Sequence, residues 1–229
     1  MGLETRGSLM AKIIGVIQVK GGAGRSTVAT NLAGELAKIG PTVLIDGDMP
    51  QGTSASWYAI REQAGKAGGT DNNLVADTAA DHRELIAKIE KHAVSADYIV
   101  LDGPPRIAEM TKAILILADL CLIPVGASAA EIWATTDILS LIDEAKKVKP
   151  ITARLLWTRH RSFTKLAQEL TEAAADHLGL PALKTSLGMR VAYMEALGAG
   201  LTVAEMADPI ARLEASSLTT EVKSLMRKL

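Results

Sequence analysis

Cysteine is nearly absent from this sequence: Cys121 is the only one in 229 residues. A lone thiol forms no internal disulfide and no cysteine-based metal cluster, and it fits a reducing compartment. Aromatic residues make up only 3% of the chain although 48% is hydrophobic. The core must therefore be built from Ala, Val, Ile and Leu, as in helices packed on a buried parallel sheet. No apolar run is long enough to cross a bilayer, and the N-terminus lacks the apolar segment of a signal peptide. Charge is balanced too, with a net of −1. That argues against a globally basic nucleic-acid binder and leaves room for a local basic face.

What is present is an alternation of short apolar runs with longer amphipathic ones. Residues Met1–Leu9 read as a leader before a start at Met10, and 10–229 as a single domain. Strands are expected at Lys12–Val19, Thr42–Asp46, Tyr98–Asp102, Leu120–Val125, Ala153–Thr158 and Ala182–Ser186. Helices are expected at Ser26–Ile39, Ser54–Gln63, Asp81–His92, Arg106–Leu117, Ala130–Lys147 and Lys165–Leu178. A long helical region follows from Arg190, broken near Gly198–Gly200 and Pro209, and Gly65–Thr78 reads as a loop. The alternation predicts an α/β fold: a doubly wound, mainly parallel sheet flanked by helices.

The strongest local signal follows the first strand. Lys20-Gly21-Gly22-Ala23-Gly24-Arg25-Ser26-Thr27 runs straight into a helical pattern. A strand, a glycine turn and a helix N-terminus form an anion site, because free N–H groups and the helix dipole converge on one point. Ser26 stands where a phosphate loop places its Mg²⁺-ligating hydroxyl. Two departures from the strict pattern are visible: Val19 replaces the first Gly, and Arg25 replaces the phosphate-binding Lys. Two further strands end in carboxylates, Asp46-Gly47-Asp48-Met49-Pro50-Gln51-Gly52 and Asp102-Gly103-Pro104-Pro105. Carboxylates at strand C-termini lie where α/β proteins bind ligands. The plainer role for Asp46 or Asp48 is to cap the following helix.

These segments resemble the deviant Walker A ATPases of the ParA/MinD family. Lys20 occupies the place of the family's additional lysine, and Asp46–Gly52 resembles its first switch, with Met49 inserted before Pro50. Asp102–Pro105 resembles its Walker B and second-switch element. Weaker support comes from Asp119–Val125 with Glu131–Ala134, from Leu155–Arg159, where Thr158 replaces an Asn near adenine, and from Met189–Tyr193.

The resemblance implies ATP and Mg²⁺ as cofactors and a slow ATPase reaction. It implies nucleotide contacts from Gly21, Gly22, Ala23, Gly24, Arg25, Ser26, Thr27 and Thr158, and metal contacts from Ser26, Asp46 and Asp102. Lys20 would reach the partner's nucleotide in an ATP-state homodimer, Asp48 would orient the attacking water, and Arg25 would neutralise phosphate. It further implies non-specific binding to nucleoid DNA in the cytoplasm, and a ParB-like or adaptor partner that stimulates hydrolysis. Between Lys146 and Arg190 lie nine Lys or Arg against three Asp or Glu. Arg159, Arg161, Lys165 and Arg190, with Lys223 and Arg227, are the candidate DNA contacts.

Two alternatives stand beside this reading. One is a MinD-like membrane-cycling regulator, for which the apolar stripe Leu218, Val222, Leu225, Met226 and Leu229 would be an anchor rather than a packing face. The other is a nucleotide-binding scaffold that Arg25 keeps from hydrolysing.

Overall fold

A computed structural model describes residues 11–65, 73–105, 108–126, 128–160 and 174–229. Six parallel strands form one sheet: β1 (Lys12–Val16), β2 (Thr42–Asp46), β3 (Leu74–Thr78), β4 (Tyr98–Asp102), β5 (Leu120–Gly126) and β6 (Ala153–Thr158). Their spatial order is β3-β2-β4-β1-β5-β6. The helices are α1 (Arg25–Ala37), α2 (Thr53–Gln63), α3 (His82–Ala93), α4 (Ala108–Leu117), α5 (Ala129–Lys146), α6 (Val191–Gly198) and α7 (Pro209–Met226), with a 3₁₀ turn at Val203–Glu205.

Both faces of the sheet are covered, and the period-2 alternation of each strand feeds two cores. Val43, Ile45, Ile99 and Leu101 face one cluster, with Leu85 and Ile89 of α3, Ile114 of α4 and Ile138 of α5. Leu44 and Val100 face the other, with Val28 and Leu32 of α1, Trp57 of α2 and Leu218 and Val222 of α7. Leu218, Val222 and Met226 of the C-terminal apolar stripe are buried in this core and Leu225 packs partly against it, whereas Leu229 is exposed. Among the described residues no helix is long and apolar enough to cross a membrane.

Two expectations are corrected. Leu74–Thr78, which reads as part of a loop in the sequence, is the edge strand β3, paired in parallel with β2. Only Leu74 of its five residues is buried, so an edge strand carrying Asp77 and Thr78 lacks the apolar run that marks a central one. Ala182–Ser186, expected as a strand, lies outside the sheet. It follows β6 through one isolated bridge, Leu155 to Ala182, flanked by hydrogen bonds from the Leu155 N–H to the Pro181 carbonyl and from the Leu183 N–H to the Leu155 carbonyl. The Lys165–Leu178 helix lies mostly outside the described residues, of which 174–178 are helical.

The register places the chemistry. Asp46 pairs with Asp102 across β2 and β4, and Val16 pairs with Asp102 across β1 and β4. The carboxylates and the start of the glycine loop thus meet at one end of the sheet, where the crossovers leave a crevice.

Candidate functional site

The loop between β1 and α1 turns through two left-handed glycines, Gly22 at φ 76° and Gly24 at φ 91°. A side chain would strain these positions. Gly24 is the N-cap of α1, with no side chain capping the helix and no acidic residue in its first turn. The first N–H groups of α1 are left for an anion. Gln18 ties the base of the loop to its neighbours: its amide nitrogen donates to the Pro124 carbonyl and the Thr135 hydroxyl, both at 3.1 Å. Thr158 at the end of β6 does the same from the other side, donating to the Ala23 carbonyl at 3.0 Å. Its hydroxyl proton is thus engaged in holding the loop, while the residue also lines the cleft beside it.

Arg25 is buried, and its guanidinium is turned into the loop. Nη1 donates to the carbonyls of Gln18 and Lys20, both at 2.7 Å, and Nη2 approaches Asp48 Oδ2 at 3.5 Å. Nε has no partner. The arginine is therefore a staple of the loop as well as a positive charge beside it. Lys20 stands half-buried at the loop's mouth next to exposed Gly21 and Gly22. Among the described residues its ammonium has no hydrogen-bond or ion-pair partner.

The carboxylates divide their work. Asp46 accepts the Asp48 N–H on Oδ1 and the Ala55 N–H on Oδ2, both at 2.9 Å, and so holds the switch segment and the first turn of α2. Asp102 is buried, and Oδ2 accepts the Ser54 hydroxyl at 2.6 Å while Oδ1 has no partner. Burial, and then the neighbouring Asp46 charge, push the Asp102 carboxyl up to about 7, although the Ser54 hydrogen bond and the nearby Ser26 hydroxyl oppose the shift. An enclosed oxygen without a partner, beside a serine hydroxyl, suits a hard divalent cation, whose charge would return this carboxyl to its ionised form. Burial also raises the Asp48 pKa, against the opposing charge of Arg25.

Next to the loop opens a cleft of about 740 Å³. Gly24, Thr27 and Val28 form one wall, Gly188, Met189 and Tyr193 the other, and Thr158–His160 the floor. Arg159 holds a left-handed conformation (φ 51°) there and is paired with Glu131. Sequence reasoning missed Gln18, Ser54 and Glu214. Each is visible in the sequence only as an ordinary polar residue, because its partner lies far along the chain.

The candidate DNA contacts do not share one face. Arg159 and Arg190 line the nucleotide-side cleft and are committed to Glu131 and Glu214. Lys223 and Arg227 line a separate cleft with Lys12 and Asp97, at the start of β1 and so at the opposite end of the strands. Arg161 and Lys165 lie outside the described residues.

A parallel sheet, a glycine loop running into a buried helix and two carboxylates at adjacent strand ends define a phosphate-loop nucleoside triphosphatase. The family model for ATPase MipZ matches residues 12–162. The chain is 30% identical over 197 residues to Maintenance of carboxysome distribution protein A of Halothiobacillus neapolitanus, covering 84% of this chain and 87% of that protein. It is 28% identical over 225 residues to the chromosome-partitioning ATPase Soj of Thermus thermophilus, covering 87% and 90%. In fold it is similar to McdA of Cyanothece in complex with ATP, with a TM-score of 0.77 at 18% identity over 95% of this chain and 98% of that one. The cell division ATPase MinD of Pyrococcus furiosus gives 0.73 at 19% identity, over 94% and 100%. The chain belongs to the MipZ/ParA family of ATPases.

Proposed function

We propose that this ATPase is a nucleotide-dependent dimer switch that binds DNA without sequence preference and positions a cargo. The observation that carries the reading is Lys20, a lysine at the mouth of the phosphate loop with no partner of its own among the described residues. A lysine at this place is similar to the additional lysine of the ParA/MinD family, and that resemblance implies that it reaches the partner's nucleotide in an ATP-state homodimer. In this reading Asp48 orients the attacking water and Arg25 places charge beside the terminal phosphate. Ser26, with Asp102 through water, would hold Mg²⁺, which when bound neutralises charge on the β- and γ-phosphates. Asp46 supports them by fixing the switch backbone. Basal turnover is slow, and a ParB-like or adaptor partner stimulates it and resets the dimer. The cargo is a DNA replicon or a protein assembly; the names of the relatives, carboxysome distribution and chromosome partitioning, span both. The protein works in the cytoplasm at the nucleoid.

ATP with Mg²⁺ should convert monomer to dimer and ADP should not. Light scattering that gives the same mass in both nucleotides would count against the dimer switch, and Lys20→Ala should abolish the ATP-dependent shift.

DNA binding is assigned first to Lys223 and Arg227 with Lys12, since Arg159 and Arg190 are already paired with carboxylates. Replacing Lys223 and Arg227 by Glu should weaken binding to all sequences alike. For every phosphate that is no longer neutralised, the logarithmic salt dependence should flatten by about 0.9. Strong preference for one sequence, or binding untouched by the double change, would remove this surface from consideration.

A further inference from the structure

The two walls of the cleft beside the phosphate loop are built differently. One is the loop and the start of α1. The other is the segment Leu187–Arg190 with the first turn of α6, and residues 187–190 belong to no helix or strand of the sheet. On the β6 side backbone hydrogen bonds hold this segment: the Leu187 N–H donates to the Trp157 carbonyl at 2.8 Å, and the His160 N–H to the Leu187 carbonyl at 3.0 Å. On the far side a carboxylate holds it, that of Glu214 from the second turn of α7.

Glu214 collects four hydrogen bonds. Oε2 accepts the Gly188 N–H and the Tyr193 hydroxyl, both at 3.0 Å. Oε1 accepts Arg190 Nε at 3.1 Å and Nη2 at 2.8 Å. Gly188, Arg190 and Tyr193 all line the cleft, whereas Glu214 does not. The packing is close: a Cβ on Gly188 would meet Glu214 Oε1 at 3.0 Å and the Arg190 guanidinium at 3.1 Å. Three residues of the wall, two on this segment and one on α6, are thus tied to a single side chain, and the Arg190 charge is spent in doing so. Charge-assisted bonds of this kind fix geometry as well as contribute energy.

We propose that Glu214 is a positioning residue for the nucleoside half of the bound nucleotide. It sets the wall against which base and ribose pack, without touching them. The inference rests on the ATP-binding reading above. The phosphate half is held by other elements, the loop backbone and the α1 N-terminus, so ligands can separate the two halves. ATP and ADP share the nucleoside, and inorganic tripolyphosphate has none.

The test is calorimetric titration of the full chain and of Glu214→Gln with MgATP, MgADP and magnesium tripolyphosphate, alongside steady-state hydrolysis. Gln keeps the size but presents an NH₂ where the carboxylate accepted, so it cannot satisfy all four donors. Affinity for ATP and ADP should fall alike, by about tenfold. Tripolyphosphate affinity should change less than about twofold, and KM for ATP should rise with kcat held, the signature of lost uniform binding. Should Glu214→Gln not fold, Tyr193→Phe removes one of the four bonds and keeps the ring. The same pattern is then expected at about threefold. Unchanged nucleotide affinity, a loss confined to ATP, equal loss of tripolyphosphate, or a fall in kcat would each overturn the assignment. An unaltered chain that binds no ATP would instead remove the nucleotide reading on which the assignment depends.

Discussion

Replacing Asp48 by Ala is expected to slow ATP hydrolysis by at least about a hundredfold, the usual scale of losing a group that manages the reacting proton. ATP affinity should hold, because the Asp48 carboxylate approaches Arg25 rather than the loop N–H groups that receive phosphate. Without hydrolysis the ATP dimer should persist, and a size measurement at long times should still find it. The carboxylate also predicts a pH dependence. Burial, outweighing Arg25, raises the Asp48 pKa. The ionised form that orients water is therefore lost, as pH falls, at a higher pH than for an ordinary aspartate. The acid limb of kcat should lie above the usual carboxylate range, and Asp48→Asn should remove that limb along with most of the rate. Loss of ATP binding by Asp48→Ala would show that this side chain belongs to the binding site and not to water positioning.

Arg25→Lys is expected to lower turnover, by about tenfold, although it restores the residue found in the family's motif. By sequence alone, a lysine here either repairs a weakened site or damages one adapted to arginine. The geometry favours the second outcome. One nitrogen of the guanidinium holds the Gln18 and Lys20 carbonyls while the other reaches toward Asp48. A single ammonium cannot hold that spread of acceptors with one rigid fork. Arg25→Ala should additionally destabilise the fold by about 1–3 kcal/mol, since loop carbonyls lose their donor. Turnover and ATP affinity of both variants, with DNA and partner present, together with denaturant melts, check the expectation. A rise in turnover for Arg25→Lys would show the arginine to be a handicap rather than a working part.

The portions of the site legible in the sequence are those whose physics is local. The strand–glycine–helix succession around Gly22 and Gly24 needs only neighbours, and the left-handed glycines and uncapped α1 start lie where the spacing puts them. Asp46 and Asp102 are legible as strand ends, and the parallel register sets them side by side. The edge strand β3 is not legible, because an edge needs little apolar surface, and Asp77 and Thr78 look like loop residues until β2 pairs with them.

The assignment of polar side chains was decided by tertiary structure. By type, Arg190 suggests a cation for DNA and Thr158 a side chain near the nucleotide. In the fold Glu214 takes the first and the Ala23 carbonyl the second. Ser54 looks like a helix-starting serine, yet it donates to Asp102 from 48 residues away. A hydrogen bond or ion pair depends on where two chain segments meet, and that meeting leaves no trace in the spacing of either one. Periodicity and glycine placement act over a few residues, so the sequence alone determined the sheet's central strands and the phosphate loop. Which charges remain free to act was settled only when distant segments packed together and each buried polar group had to find a partner.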